Sequence, residues 1–295
     1  FQSLPEITNW TIEGPFDSSY SLSILNRCFS ESLSKYIDDV RIHITEGPGD
    51  YEPNISYLSK FTFILEIFYK SLNSFNKREV VSRNLYPPRV KDMKSRINLL
   101  HSYGWEESEL PMEWVSDFNH YLTGISVMST QVKKILIDNG VNLPIEVCGL
   151  GCDHFLKIKA DYTYKATTKN FKILHISSCF PRKGIDQLLE AYGKSFTKYD
   201  DVSLIIKTFN NIHNNITQKL SDLKKDNFNF PEVKIIYNDI DESQLKSLYL
   251  QSNVLVAPSK GEGFGLPIAE AMLLGLPVIT TGWGGQTDFC NNKNA

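Results

Sequence analysis

From about residue 120 onward, short apolar runs alternate with amphipathic stretches. Gly124 to Met128 reads as a buried strand, and Ser129 caps a helix that runs through Ile137 and stops at Asn139-Gly140. Ile145 to Cys148 is the next strand, followed by the turn Gly149 to Asp153. Further on, Phe171 to Ser177, Val202 to Lys207, Val233 to Tyr237, Val254 to Ala257 and Pro277 to Thr281 predict strands. Between them lie helical patterns: Ile185 to Tyr192, with apolar residues at 185, 188, 189 and 192, then Ile212 to Leu223, Glu242 to Gln251 and Pro267 to Leu274. Strand and helix in this alternation imply βαβ units and parallel sheets. Before residue 120 the pattern is harder to read: Val40 to Thr45 predicts a strand, and the loop Gly14 to Tyr20 feeds a helix from Ser21 to Leu33. The polar stretch Lys157 to Asn170 predicts the approach to a domain boundary, giving domains of residues 1–155 and 156–295.

Composition narrows the function. The chain has 295 residues, 41% of them hydrophobic, enough for two cored domains. A net charge of −3 gives no electrostatic case for binding nucleic acid. The longest apolar run, Phe61 to Tyr69, contains Glu66 and falls short of the roughly 18 residues of a membrane span. The opening Phe1 to Glu6 lacks the basic-then-apolar form of a signal peptide. The absent initial Met and the stop soon after a strand and a glycine turn suggest a piece of a longer protein. The five cysteines are scattered, and Cys148-x-x-x-Cys152 has no second close pair, so free thiols are expected and no metal site.

In an open parallel sheet, ligands bind beyond the carboxyl ends of the strands. The run Pro258 to Met272 follows such a strand. Its glycines at 261, 263 and 265 let the backbone approach a ligand closely. Pro267 suits a helix start, where its missing N–H costs nothing, and the helix N-terminus suits a phosphate. Glu262 and Glu270 add two carboxylates, able to accept sugar or ribose hydroxyls and to face positive charge developing at an anomeric carbon. The alternative is a tight turn with one capping and one solvated glutamate. A second loop, Ser177 to Gly184, carries Arg182 and Lys183, which can neutralise a departing diphosphate. The alternative there is a solvated basic turn.

Glu262-Gly263-Phe264-Gly265-Leu266-Pro267-x-x-Glu270-Ala271, followed by Gly275-Leu276-Pro277-Val278, resembles the retaining glycosyltransferases of the GT-B fold, particularly family 4. The resemblance implies an α/β protein of two Rossmann-like domains whose parallel sheets face across a cleft, an acceptor-side first domain and a donor-binding second domain. It implies that Glu262 lies near the donor sugar, that Glu270 binds the ribose hydroxyls, and that the backbone of Gly263, Phe264, Gly265 and Leu266 faces sugar and diphosphate. Lys183 matches the family's lysine. The family's early arginine in that loop is replaced by Ser178, so Arg182 is the candidate for the missing charge. Asn238 stands where the family reads the nucleotide base. In the first domain, His101 is the candidate for a histidine approaching donor sugar or acceptor, with a structural histidine as the other reading. Ser18 and Ser19 replace a glycine pair in the loop facing the acceptor and diphosphate. Trp105 and Glu106 are acceptor-cleft candidates, since aromatic faces stack on sugars, with packing as the other reading. The activity implied is metal-independent, cofactor-free transfer, with retention, from a nucleotide-sugar donor (a UDP- or GDP-sugar) to a glycan or lipid-linked hydroxyl, in surface polysaccharide or glycoconjugate synthesis. A cytoplasmic protein with peripheral contact at the inner membrane face is expected. The rival readings are a non-catalytic GT-B partner subunit and a nucleotide-sugar epimerase or hydrolase.

Overall fold

In the computed structural model, residues 7–73 and 78–295 are described. The opening residues 1–6, read above for a leader, lie outside them. The chain divides into two compact units, Phe1–Gly149 and Leu150–Ala295.

The first unit contains β1 (Asn9–Gly14), α1 (Ser21–Leu33), β2 (Asp39–Glu46), β3 (Gly49–Asp50), α2 (Ile55–Leu58), α3 (Thr62–Leu72), β4 (Val80–Arg83), β5 (Ile97–Tyr103), α4 (Met112–Tyr121), β6 (Gly124–Val127), α5 (Thr130–Asp138) and β7 (Ile145–Val147). Its strands form one sheet in the order β3-β2-β1-β4-β5-β6-β7, parallel throughout except for the β2–β3 pair. Ile12, Val40, Ile42 and Ile44 build the core with Leu58, Ile64, Ile67 and Phe68. Ser129 caps α5 as expected, its hydroxyl accepting from Val132 N.

β1, β4, β5, α3 and α4 were not legible as elements, and for β1 and β4 the reason is charge. Register partners Glu13 and Arg83 face each other across β1 and β4, both buried and bonded at 2.5 Å. Arg83 also reaches Asp92 at 2.6 Å, and Arg78 takes the other Glu13 oxygen. A cross-strand ion pair can fill an inward position only when both members are present, and it erases the apolar alternation.

The inward face of α1 is polar too. It buries Ser23, Asn26, Arg27 and Ser30. Asn26 Nδ2 donates to Pro15 O at 2.9 Å and Asn84 O at 3.0 Å, while its Oδ1 accepts from His101 Nε2 at 2.9 Å. Arg27 donates to Phe16 O and Ser18 O and lies over the Phe61 ring. α1 therefore fastens the loop after β1 instead of merely covering the sheet.

The second unit contains α6 (His154–Lys157), β8 (Phe171–Ile176), α7 (Ile185–Ser195), β9 (Val202–Lys207), α8 (Ile216–Asp226), β10 (Glu232–Ile236), α9 (Glu242–Gln251), β11 (Val254–Ala257), α10 (Leu266–Leu273) and β12 (Val278–Thr280). Its sheet is parallel, in the order β10-β9-β8-β11-β12. The period of two is explicit: Ile173, Leu204 and Ile206 pack with α7 and α8 on one face, and Leu174, Ile205 and Leu255 pack with α9 and α10 on the other. Both faces are covered, which is why these strands read as near-continuous apolar runs. α8 begins at Ile216, later than the expected Ile212. The residues before it form a loop held by side chains, with Asn211 Nδ2 donating to Ser178 O and Asn214 Nδ2 to Phe209 O. The polar stretch after Lys157 lies along α9, where Lys246 Nζ donates to Phe155 O and Ile158 O and Ser247 Oγ donates to Asp161 O. No helix among the described residues is long and apolar enough to cross a membrane.

Asn26→Ala strands two carbonyls and a histidine N–H in the interior of the first unit. Urea titration is expected to show a loss of about 2–4 kcal/mol for that unit.

Candidate functional site

In the second unit the strand order reverses direction at β8: β9 and β10 lie on one side of it, β11 and β12 on the other. The loops leaving β8 and β11 start from that point, and the crevice beyond the carboxyl edge there is where open α/β sheets hold ligands. β8 and β11 pair through Ile173↔Val254 and Leu174↔Leu255, so the two loops start side by side. Lys260 N donates to Arg182 O at 2.7 Å and joins them. Gly184 has φ +70°, and a Cβ there would fall on the Pro258 carbonyl well inside van der Waals contact. Only glycine satisfies both the left-handed backbone and that approach.

Lys183 and Glu262 meet across the crevice: Nζ donates to Oε1 at 2.7 Å, with side chains 13% and 11% exposed. Ser259 Oγ donates to the same oxygen at 2.7 Å. Arg182 Nη1 donates to Gly261 O at 3.2 Å. The loop after β12 joins from the far side, with Gly285 N donating to Glu262 O at 2.7 Å. That loop is held from beneath by the fully buried Gln286, whose Nε2 donates to Thr281 O and Trp283 O. Gly265 caps α10 at φ +90°, and Pro267 occupies its first turn. Phe264 turns its side chain inward against Phe289, with centroids 4.9 Å apart, leaving the Gly263–Gly265 backbone to line the loop.

Glu270 is set deeper than Glu262. It is 6% exposed, and its Oε2 accepts from Tyr249 Oη at 2.6 Å. Burial pushes its pKa up to about 7, against the lowering effect of the tyrosine hydrogen bond. Ser178 lies in the Lys183 loop, its carbonyl accepting from Asn211. Asn238 is exposed in the loop after β10, at the sheet edge.

Sequence reasoning passed over a support beneath the Lys183 loop. His175 is 1% exposed. Its Nδ1 is 2.8 Å from Val256 O, which can only accept, so Nδ1 carries the proton and Nε2 accepts from Ser177 Oγ at 2.7 Å. Ser177 Oγ in turn accepts from Cys179 N at 3.0 Å. Cys179 is a buried non-glycine at φ +55°, a conformation the contacts around it must hold. Burial pulls the His175 pKa down to about 4. A histidine in a strand read as apolar was the available signal, as was Ser259 directly before the glycine run.

In the first unit, His101 lies in the core. It is 2% exposed, stacked on Phe29 at 4.4 Å and 15°, and bonded to Asn26. Its Nδ1 is buried without a partner, and burial pulls its pKa down to about 3. Asn26 Nδ2 is committed to carbonyls, so its Oδ1 accepts and Nε2 carries the imidazole proton. The expectation that His101 reaches a sugar is corrected on this point: of its two readings, this geometry carries the packed histidine. Ser18 Oγ shares a hydrogen bond with Ser23 Oγ at 2.7 Å, and Ser19 is exposed beside it. Trp105 is half-buried, its Nε1 donating to Glu109 O, and its ring meets Trp114 edge-on at 5.4 Å. Trp114 in turn meets Tyr86 at 6.2 Å. Glu106 is half-buried next to Trp105. The structure thus brings Arg182, Lys183 and Glu262 together in the second unit, and gathers Trp105 with further aromatic rings in the first.

The fold so described is GT-B: two parallel-sheet α/β domains. HepE from Anabaena, solved in complex with UDP-glucose, superposes with a TM-score of 0.69 at 14% identity, covering 96% of this chain and 83% of that one. Sucrose-phosphate synthase from Thermosynechococcus elongatus superposes with a TM-score of 0.67 at 16% identity, covering 95% and 83%. Residues 160–295, which hold every crevice residue above, match the model of the family described as glycosyl transferases group 1. The capsular polysaccharide biosynthesis glycosyltransferase CapM of Staphylococcus aureus is 30% identical over 181 residues, 58% of this chain and 46% of CapM. An uncharacterized 41.2 kDa protein in the cps region of Klebsiella pneumoniae is 30% identical over 164 residues, 56% of this chain and 40% of that protein. The matched stretches span less than half the length of these curated relatives.

Gly184→Ala forces the β8 and β11 loops apart and is expected to cost about 2–4 kcal/mol in urea unfolding. His175 binds its proton far less readily in the fold than in the unfolded chain. Stability of the second unit should therefore be full above about pH 6.5 and fall as pH drops toward 4, by up to ~1.4 kcal/mol per pH unit. The slope should flatten in His175→Gln.

Proposed function

We propose that this protein is a retaining, metal-independent glycosyltransferase that moves a sugar from a nucleotide-sugar donor to a hydroxyl of a glycan or lipid-linked acceptor, in surface polysaccharide or glycoconjugate synthesis. The observation carrying the proposal is the Lys183–Glu262 contact across the crevice, within the stretch matched by the glycosyltransferase family model. The descriptions of the Klebsiella and Staphylococcus relatives support a capsule-type product, and the UDP-glucose held by HepE makes a UDP-sugar the first donor to try.

In this reading the donor diphosphate lies against Lys183 and Arg182. The bond from the anomeric carbon to the phosphate oxygen breaks, and the electron pair leaves on the diphosphate, where those cations offset the charge. The acceptor oxygen attacks the same face of the sugar, and its proton passes to the departing phosphate oxygen. Configuration is kept and no metal enters. Glu262, drawn from Lys183 as the phosphate arrives, faces the positive charge developing on the sugar. Gly263, Gly265 and Leu266 give backbone contact, Glu270 takes ribose hydroxyls, and Ser178 and Asn238 border the diphosphate and base.

On the acceptor side we assign Ser18, Ser19, Trp105 and Glu106. The ring cluster of Trp105, Trp114 and the 60% exposed Tyr86 supports a saccharide there, since aromatic faces cover the apolar faces of sugars. The reading extends to a cytoplasmic protein working at the inner membrane face.

Incubation with UDP-, GDP- and ADP-sugars and candidate acceptors, followed by chromatography of the products, tests the proposal. Glu262→Gln should lower kcat by about 10²–10³-fold with nucleotide still bound, and Lys183→Ala should lose about as much in kcat/KM. Donor cleavage that is equal with and without acceptor would replace transfer by hydrolysis. A folded protein that binds no nucleotide sugar would end the reading.

A further inference from the structure

Glu270 and Tyr249 form a buried pair that links α10 to α9. Tyr249, on α9, is 1% exposed, and its ring stands edge-to-face on Phe155 at 5.8 Å. Lys246, one turn earlier on the same helix, donates to the Phe155 carbonyl at 2.7 Å and fixes that neighbour. The phenol therefore has one orientation, with its hydroxyl on Glu270 Oε2. Among the described residues Oε1 takes no hydrogen bond, and Glu270 as a whole is 6% exposed. The titratable groups facing the pair are the Cys152 thiol and the Glu242 carboxylate, and among the described residues no cation contributes to the Glu270 shift.

This asymmetry decides where a proton sits. Tyr249 donates to Oε2, so a protonated Glu270 carries its hydrogen on Oε1, the oxygen the phenol leaves open. A hydroxyl cannot donate there until the proton leaves. We infer that Tyr249 is a positioning residue for nucleotide binding: it pins Oε2 inside the fold and presents Oε1 as the acceptor for a vicinal diol of the ligand, so that binding is linked to release of the Glu270 proton. The inference rests on the reading of the second unit as a nucleotide-sugar site.

Burial holds the Glu270 proton up to about pH 7, and the tyrosine hydrogen bond opposes that shift. Nucleotide affinity should rise between pH 6 and pH 8. Without the phenol hydroxyl the carboxyl holds its proton to higher pH. Tyr249→Phe, which keeps the ring, should move the affinity profile toward alkaline pH, binding about tenfold more weakly at pH 7 and converging on the parent near pH 9.

Titration calorimetry with UDP, GDP and ADP from pH 6 to pH 9 provides the test, repeated with the 2′,3′-dideoxy form of whichever binds. The parent protein should show the pH dependence with the diol present and lose it with the dideoxy nucleotide. Glu270→Gln should be weak and flat with pH, and adding Tyr249→Phe to it should change nothing further. Cys152→Ser should leave the profile in place, which assigns the titration to Glu270. A Tyr249→Phe profile that matches the parent overturns the inference. So does a loss not recovered at pH 9, or one that adds fully to Glu270→Gln, since either marks a packing role. If no diphosphate binds the folded parent, the nucleotide-site reading itself fails, an outcome separate from these.

Discussion

The adjacency of β8 and β11 governs the second unit. Once Ile173 and Leu174 pair with Val254 and Leu255, the loops that follow have a common origin at the carboxyl edge. Their backbones join at Lys260 and Arg182, and Gly184 lets one press against the Pro258 carbonyl of the other. Lys183 and Glu262 are far apart in the chain yet become neighbours through this pairing, and the Glu262 carbonyl draws in the loop after β12. A largely buried ion pair adds little net stability, because desolvation offsets most of the attraction. Removing one member is costly, because the other is left uncompensated. The contact is better understood as a charge arrangement held ready than as a source of stability.

Two glutamates of one motif end in opposite surroundings. Glu262 has an ammonium and a hydroxyl on the same oxygen. Glu270, two turns of chain away, has a phenol and no cation, inside an apolar wall that includes Tyr249 and Phe155. The first is compensated by charge and the second by a neutral donor alone, and burial pushes the pKa of the second up to about 7. Chemical likeness in sequence thus becomes a difference in behaviour through burial and partner choice.

Both units use polar groups to fix the loops that leave their strands. In the first, Asn26 on α1 binds the carbonyls of Pro15 and Asn84 and the ring of His101. In the second, His175 links the carbonyl of Val256 to Ser177, and Ser177 holds Cys179 in its left-handed turn. Each device ties strand ends together with directional bonds where an apolar contact would leave the loop free to slide. Each is satisfied only by the full set of partners, which is what lets it specify one arrangement.

The second unit was readable because strands covered on both faces leave continuous apolar runs, and helices between them repeat at the spacing of their buried side. The glycine run, Pro267, Lys183 and the two glutamates were legible too, since each type has a local reason to stand at a strand end or a helix start. The first unit was less so. β1 and β4 hide inward-facing charge, and Glu13 looks solvated until Arg83 is placed opposite it. His101 and Tyr249 show the same division. The linear chain determined that a histidine stands at position 101 and that Glu242 to Gln251 is a helix. Only the tertiary structure decided that the histidine is sealed against Asn26 and Phe29, and that the tyrosine meets a glutamate from another helix. Periodicity and turn chemistry act over a few residues and survive in the linear chain. Burial, partner and protonation depend on atoms brought together from distant positions, so they arise only when the sheet closes its order.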